Sequence, residues 1–258
     1  MKKEVCIVIP IYKQHPTESD KLSIETTIKK LERFDLYFVT FPELDMDEYK
    51  SYSQIRVRYF PKKYFESVKD YNKLMLSPLF YLKFTKYKYI CMVQTDAVVL
   101  GNADQLEKFV KMDYDYIGAP WIKPLKIYHF EPRDHYKILN RIRSLKRILM
   151  GEGIFCYVGN GGASLRKVKS SIKVLLRYRI FAYTWQRNED LFFAYYGSTT
   201  KIFRTAPIDI AGEFSLEATA RADIAKGIRP FVMHAWEKYC PEIFQLIALP
   251  QHTETKEL

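Results

Sequence analysis

The run Val5-Cys6-Ile7-Val8-Ile9 is apolar at every position. A strand with one wet face alternates polar and apolar residues, so an unbroken run reads as a strand covered on both faces. Residues 36–41, ended by Pro42, form a second strand, and residues 55–60, 89–93 and 114–119 read as three more. Helical spacing fills the gaps. Thr17-x-x-Asp20 has the form of a capping box, with Ile24, Ile28 and Leu31 following at helical intervals. Residues 67–76 and 106–112 read as helices, and Ser77-Pro78 opens another, because proline suits a first turn. Strand alternating with helix over the first 120 residues predicts an α/β domain with a mainly parallel sheet between layers of helices. Ligands of such sheets bind beyond the carboxyl ends of the strands. The strand at 89–93 delivers Gln94-Thr95-Asp96 to such an end.

The pattern breaks at residues 121–153, a basic insertion or lid interrupted by Pro124 and Pro132. Within it, Ile138, Ile142, Leu145 and Leu149 recur at helical spacing among Arg141, Arg143, Lys146 and Arg147. That is a basic amphipathic helix, either packed on the core or serving as a lid or membrane-surface contact. Beyond it, residues 155–158 read as a strand, 165–178 and 189–196 as helices, and 201–204 as a strand, while 251–258 is a polar, frayed tail. No repeat or linker divides the chain, which predicts a single domain over 1–258.

The net charge of +11 is unevenly placed: residues 123–147 and 166–179 each carry +6, and the rest nets −1. Such local excess suits an anionic partner, whether nucleic acid, lipid headgroups or a diphosphate. The 20 tyrosines and 17 phenylalanines are mostly explained by core packing, with some available to stack on sugars or bases. Cys6, Cys91, Cys156 and Cys240 show no CxxC spacing, so they read as small buried hydrophobes of a reducing compartment. The apolar stretch at 5–9 is too short for a signal-peptide core, and no stretch approaches a membrane span. The expectation is a cytoplasmic protein, able to sit peripherally at the inner face of the membrane.

Four features carry chemistry. Asp96, directly after a buried strand, suits a divalent cation or a ribose hydroxyl, or else simply ends the strand with turn hydrogen bonds. Gly159-Asn160-Gly161-Gly162 allows positive φ and lets a ligand lie on bare backbone, or else forms an ordinary hairpin turn. Neither a GxGxxG fingerprint nor a P-loop is present. Glu189 and Asp190 open a helix whose dipole would keep them ionised, and one of them could act as a general base. His234 lies in an apolar run beside Trp236, as a satisfied core histidine or a ligand.

In this order the residues resemble the glycosyltransferases of the GT-A fold. Gln94-Thr95-Asp96 matches the acidic DxD-type motif, Gly161-Gly162 the glycine loop, Asn188-Glu189-Asp190 the xED motif and His234 the late histidine. The chain is more closely similar to the DUF5672 family. The residues that carry this likeness are Tyr71-Asn72-Lys73-Leu74-Met75-Leu76-Ser77, Gln94-Thr95-Asp96-Ala97-x-Val99, Asp115 to Trp121, Gly159 to Lys167, Glu189-Asp190 and His234-Ala235-Trp236, within residues 5–240. The resemblance implies a GT-A-like fold and transfer of a sugar from a nucleoside-diphosphate donor to a glycan or lipid-linked acceptor. It implies that Asp96 and His234 hold Mn²⁺ or Mg²⁺ at the diphosphate. It places Pro10, Ile11 and Tyr12 beside the base, with Gln94, Thr95, Asn160, Gly161 and Gly162 also on the donor. It puts Trp121 and Trp236 on the acceptor side, and makes Asp190, next to Glu189, the base of an inverting transfer. Gln94 departs from the pattern, since an aspartate is usual there, and a site with one carboxylate holds a cation less strongly. The rival reading is a non-enzymatic nucleic-acid-binding protein, drawn from the basic charge and the aromatics. The confinement of the charge to two stretches weighs against it, and no nucleic-acid partner is expected.

Overall fold

The computed structural model describes residues 3–127, 150 and 153–243. Its strands are β1 (Lys3–Pro10), β2 (Asp35–Thr40), β3 (Arg56–Tyr59), β4 (Tyr87–Val93), β5 (Ala97–Val99), β6 (Tyr116–Ile127), β7 (Ile154–Lys167), β8 (Ser215–Leu216) and β9 (Val232–His234). The helices used below are α1 (Glu18–Leu31), α2 (Val68–Met75), α3 (Pro78–Leu82), α4 (Ala103–Lys111), α5 (Val168–Arg177), α6 (Arg179–Thr184), α7 (Glu189–Thr199) and α8 (Ile208–Phe214). Six strands form one sheet in the order β3-β2-β1-β4-β7-β6. The first four run parallel, and β7 runs antiparallel to both β4 and β6. A second, small sheet has the order β5-β9-β8.

The unbroken apolar run of β1 has the expected cause. Cys6 and Val8 point into one core, while Val5, Ile7 and Ile9 point into the other. Residues of α2, α3, α5 and α7 complete the first core, and residues of α1, α4 and α8 complete the second. The aromatic surplus is largely spent inside: Tyr116 stacks on Phe193 at 5.5 Å and Tyr178 on Tyr196 at 4.2 Å. All four cysteines are buried and free, and burial pushes the Cys91 thiol up to about 12. Among the described residues no helix is long and apolar enough to cross a membrane.

Three expectations change. The strand at 155–158 is the start of a 14-residue strand that takes in Gly159 to Gly162 and the first residues of the expected helix, which starts at Val168. Pairing on both edges explains this, since β4 meets residues 163–167 and β6 meets residues 154–166 of β7. The expected strand at 201–204 is absent: its neighbourhood makes one isolated bridge, Tyr116 to Thr205, and the Arg204 carbonyl accepts from Asp115 N and Tyr116 N. Of the expected insertion, residues 121–127 belong to β6. The basic helix at 138–149 and the tail at 251–258 lie outside the described residues.

The capping box of α1 is present: Asp20 N donates to Thr17 Oγ1 at 3.2 Å, and Thr17 N donates to Asp20 Oδ2 at 2.8 Å. Thr17→Ala is expected to lower stability by about 1 kcal/mol, the usual worth of an N-cap. Urea denaturation followed by circular dichroism measures it.

Candidate active site

Strand pairing brings the separated motifs together. Val93 of β4 pairs with Ala163 of β7, and one step further Gln94 N donates to the Gly162 carbonyl at 3.0 Å. Ala97 of β5 lies opposite His234 of β9. Asp96 is therefore held beside His234, and Gly162 borders both. A cleft of about 720 Å³ opens here, at the carboxyl edge of β1 and β4. Pro10, Tyr12, Gln94, Thr95 and Asp96 line one part, and Asn160, Gly161, Gly162, Glu189, Asp190 and His234 line the rest.

Three expected contacts do not reach it. Ile11 N continues the β1–β2 ladder to the Val39 carbonyl at 2.9 Å, so successive side chains alternate. Pro10 and Tyr12 face the cleft, and Ile11 is buried in the core. Trp121 packs against the core, with its Cη2 only 2.5 Å from where a Gly159 Cβ would stand. Trp236 is buried with Val98, Leu216 and Met233. The chain turns it inward through Ala235, which is left-handed at φ 49.

The glycines are bare for a reason other than the expected one. They sit in a strand, and none has positive φ. A methyl on Gly162 would overlap the imidazole of His234, and one on Gly161 would lie 2.7 Å from Glu189 Oε1 and 2.9 Å from Arg166 Nη2. On the side where a Cβ would project, the protein's own side chains fill the space, while Gly161 and Gly162 still line the cleft.

His234 stands between two acids, with Nε2 3.3 Å from Asp96 Oδ1 and Nδ1 3.2 Å from Glu217 Oε1. Both nitrogens are buried, and neither contact is aligned as a hydrogen bond, so these are ion-pair contacts. Burial alone would lower the imidazole, but Asp96 and Glu217 outweigh it and hold it up to about 9. Asp96 is half-exposed, and its carboxyl is held below the ordinary value: burial opposes this, and the His234 contact overcomes it.

Asp190 behaves oppositely. Burial, then the charge of Glu189, pushes it up to about 8, a direction opposite to the one expected from the helix dipole. Leu191 N donates to Asp190 Oδ1 at 2.6 Å. Glu189 is instead engaged by Arg166, Nη2 to Oε1 at 2.7 Å, in an ion pair almost wholly buried. That contact ties the start of α7 to β7.

Several of these residues had no assigned role in the sequence reading. Arg166 also donates to Ser164 Oγ, Tyr81 Oη and the Gly161 carbonyl. Asn72 accepts from Glu189 N at 3.0 Å and so caps α7 from a distant helix, where Asn188 makes no side-chain cap of its own. Glu217 accepts from Asn160 Nδ2 as well as facing His234. Lys13 reaches the cleft and is held by buried Asp20 at 2.8 Å. Asn72 and Arg166 lie inside the motifs of the family likeness; Glu217 and Lys13 carried no signal.

Removing one member of a buried pair strands the other. Arg166→Met is expected to cost about 3–5 kcal/mol, and Arg166→Met with Glu189→Met to recover most of it, as measured by denaturant unfolding. Gly162→Ala should force the imidazole from its slot and lower its pKa from about 9 towards the ordinary 6.5, followed by NMR titration of His234.

No curated protein matches the chain at significance. Among solved structures, mouse xyloside xylosyltransferase 1 in its apo form aligns with a TM-score of 0.52 at 11% identity, covering 90% of this chain and 97% of that one. The likeness shows a shared fold, that of a GT-A-like α/β domain. The mannosyltransferase Ktr4p from S. cerevisiae aligns at TM-score 0.44 and 13% identity, over 73% of this chain and 64% of its own. The bifunctional glycosyltransferase WbbM aligns at 0.48 and 10%, over 91% of this chain and 46% of its own. Those two scores are too low to carry an argument. The family described as "Protein of unknown function (DUF5672)" matches residues 54–234, which include Asn72, Asp96, the glycine strand, Asp190 and His234. With most of its length matched, the chain belongs to the DUF5672 family.

Proposed function

We propose that the protein transfers a glycosyl group from a nucleoside-diphosphate donor to a hydroxyl of a glycan or lipid-linked acceptor, with inversion. One observation carries this reading: a single cleft is lined by Asp96, in contact with His234, and by the buried carboxyl of Asp190, whose pKa burial raises. The acceptor oxygen attacks the anomeric carbon as the bond to the diphosphate breaks, and Asp190 takes the hydroxyl proton. The base must be ionised to do so, and a pKa near the working pH suits it. Tyr12, more than half exposed, offers a face to the base of the donor, and Lys13 offers a positive charge to the diphosphate.

The residues present fit a divalent cation. Asp96 Oδ1 and His234 Nε2, 3.3 Å apart, would hold it once the imidazole gives up its proton. Glu217 on the far nitrogen is the usual partner of a ligating histidine. Among the described residues no group of three His, Cys, Asp or Glu converges as a complete metal site, and with Gln94 in the motif the donor's phosphate oxygens would complete the shell. Such an ion would neutralise charge on the departing diphosphate. Without such an ion an anionic ligand suits the cleft poorly, since Glu66, Asp96, Glu189 and Glu217 line it.

A screen of nucleotide sugars for hydrolysis tests the reading, and a protein that turns over none of them and binds no nucleoside diphosphate refutes it. With the active donor, Asp190→Asn should lower transfer by roughly 10²–10⁴-fold with donor binding near normal. Wild-type kcat/KM should rise with pH through about 8, as the carboxyl loses its proton, and this rise should vanish in the variant. A retained anomer, or normal turnover in Asp190→Asn, removes Asp190 as the base. Asp96→Ala and His234→Ala should each weaken nucleoside-diphosphate binding in Mn²⁺ to the level of wild type in EDTA, as calorimetry would measure.

A further inference from the structure

We propose that the outer face of α3, α5 and α6 seats the protein on an anionic lipid surface, so that the cleft meets an acceptor carried by that surface. The docking stands on its own observations; only the role of the acceptor rests on the glycosyl-transfer reading.

The face is two-sided in composition. Val168, Ser171, Val174, Leu175, Tyr178 and Ala182 are buried beneath it. Lys169, Lys173, Leu176, Ile180 and Tyr183 follow one another outward along α5 and α6, with Leu176 56%, Ile180 66% and Tyr183 90% exposed. The neighbouring α3 packs against α5 and adds Leu79 and Leu82, 66% and 48% exposed. Large apolar side chains interleaved with cations are the composition of a helix that lies in a membrane interface.

The charge is of one sign. Residues 166–187 hold seven Lys or Arg and no acid, whereas the lysines around α3 are already engaged, Lys73 by Asp70, Lys83 by the Tyr59 carbonyl and Lys86 by Asp35. Arg166 and Lys167 are engaged inside, by Glu189 and by Asp113 and Asp115. Lys169, Lys173 and Arg179 are exposed. This combination selects the partner. A second copy of the chain would oppose two acid-free faces. Single-stranded nucleic acid wants stacking rings, but four of the five exposed apolar residues are aliphatic. Anionic headgroups over acyl chains satisfy both the charge and the aliphatic groups.

The face adjoins the chemistry. Residues 185–188 lead from α6 into α7, whose first turn carries Asp190. Next to α3 packs α2, whose start, Ser67 and Val68, lines the cleft. An acceptor embedded in the lipid would therefore approach from the side of the proposed base.

Flotation of the full chain with phosphatidylcholine vesicles containing about 30% phosphatidylglycerol, an anionic lipid, tests this at low salt. Wild type should float with them and not with pure phosphatidylcholine. Lys169→Glu, Lys173→Glu and Arg179→Glu together should lower partitioning by about 100-fold or more, each cation near such a surface being worth roughly fivefold. Leu176→Ser, Ile180→Ser and Tyr183→Ser together should lower it by about tenfold or more, the apolar area being the other half of the attraction. Both variants should keep wild-type circular dichroism. Changing Arg141, Arg143, Lys146 and Arg147 to Glu should leave flotation in place. The proposal is overturned if wild type does not float, if only the change at 141–147 abolishes flotation, or if the face variants lose binding to a random oligonucleotide while wild type ignores vesicles. Flotation as expected without turnover of any nucleotide sugar would leave the docking face standing and remove the transferase reading.

Discussion

A guanidinium buried among aromatic rings holds the cleft in shape. Arg166 lies near the end of β7, its charge within 5.4 Å of the Tyr116 ring centre and 5.6 Å of the Phe193 ring centre. At that depth a charge must be matched, and Glu189 at the start of α7 matches it. The pair gains little stability over two apolar residues of the same shape, but separating its members is expensive. The start of α7 is thus tied to β7 at Gly161, and Asn72 ties it to α2 through Glu189 N. Asp190, one residue on, inherits its position from these contacts.

The sheet was legible because its information is local. Val5 to Ile9 carries its burial on both faces in its own composition, and Thr17 with Asp20 carries its own cap. The long strand β7 was not, because three glycines in four residues have little intrinsic preference for a strand. What makes it a strand is pairing to β6 from Ile154 to Arg166, joined by β4 from Ala163 onward, and both partners lie in other parts of the sequence. The same distinction runs through the site. Asp96, Asp190 and His234 were found from their order along the chain, and the cleft collects all three. Glu217 and Lys13 join them only through tertiary contact, to His234 and to Asp20, with nothing in their own neighbourhoods to mark them, and Asn72, though inside a family motif, gave no sign of its bond from Glu189 N. Ile11 and Trp236 were read as neighbours of the right residues. A strand's alternation and one left-handed residue, Ala235, turn each of them into the core instead.

The glycine strand adds an internal reason for bare backbone to the usual one of a bound ligand. Gly162 is bare so that an imidazole can lie against it, and Gly161 so that an ion pair can pass over it. Both neighbours are side chains that themselves face the cleft. The glycines line the cleft beside them, so the bare backbone serves the protein's own side chains and stays open to the cleft.

Three aspartates show how the fold divides labour among identical groups. Asp20 and Asp190 are both buried, and burial pushes both carboxyls up. Around Asp20 the push is overcome, because Lys13, Thr95 and Thr17 hydrogen-bond its charged form and hold it below the ordinary value. Asp190 has the charge of Glu189 beside it, which reinforces the push, and the Leu191 N–H and the more distant charge of Arg166 do not offset it. Asp96, half in water and beside His234, also stays low. Two of the three are therefore fixed anions at neutral pH, suited to hold cations. The third sits where its proton is exchangeable. Pushing the pKa values of like groups apart is how one site supplies both an electrostatic clamp and a base, and here the difference follows from which side chains each carboxyl meets once it is buried.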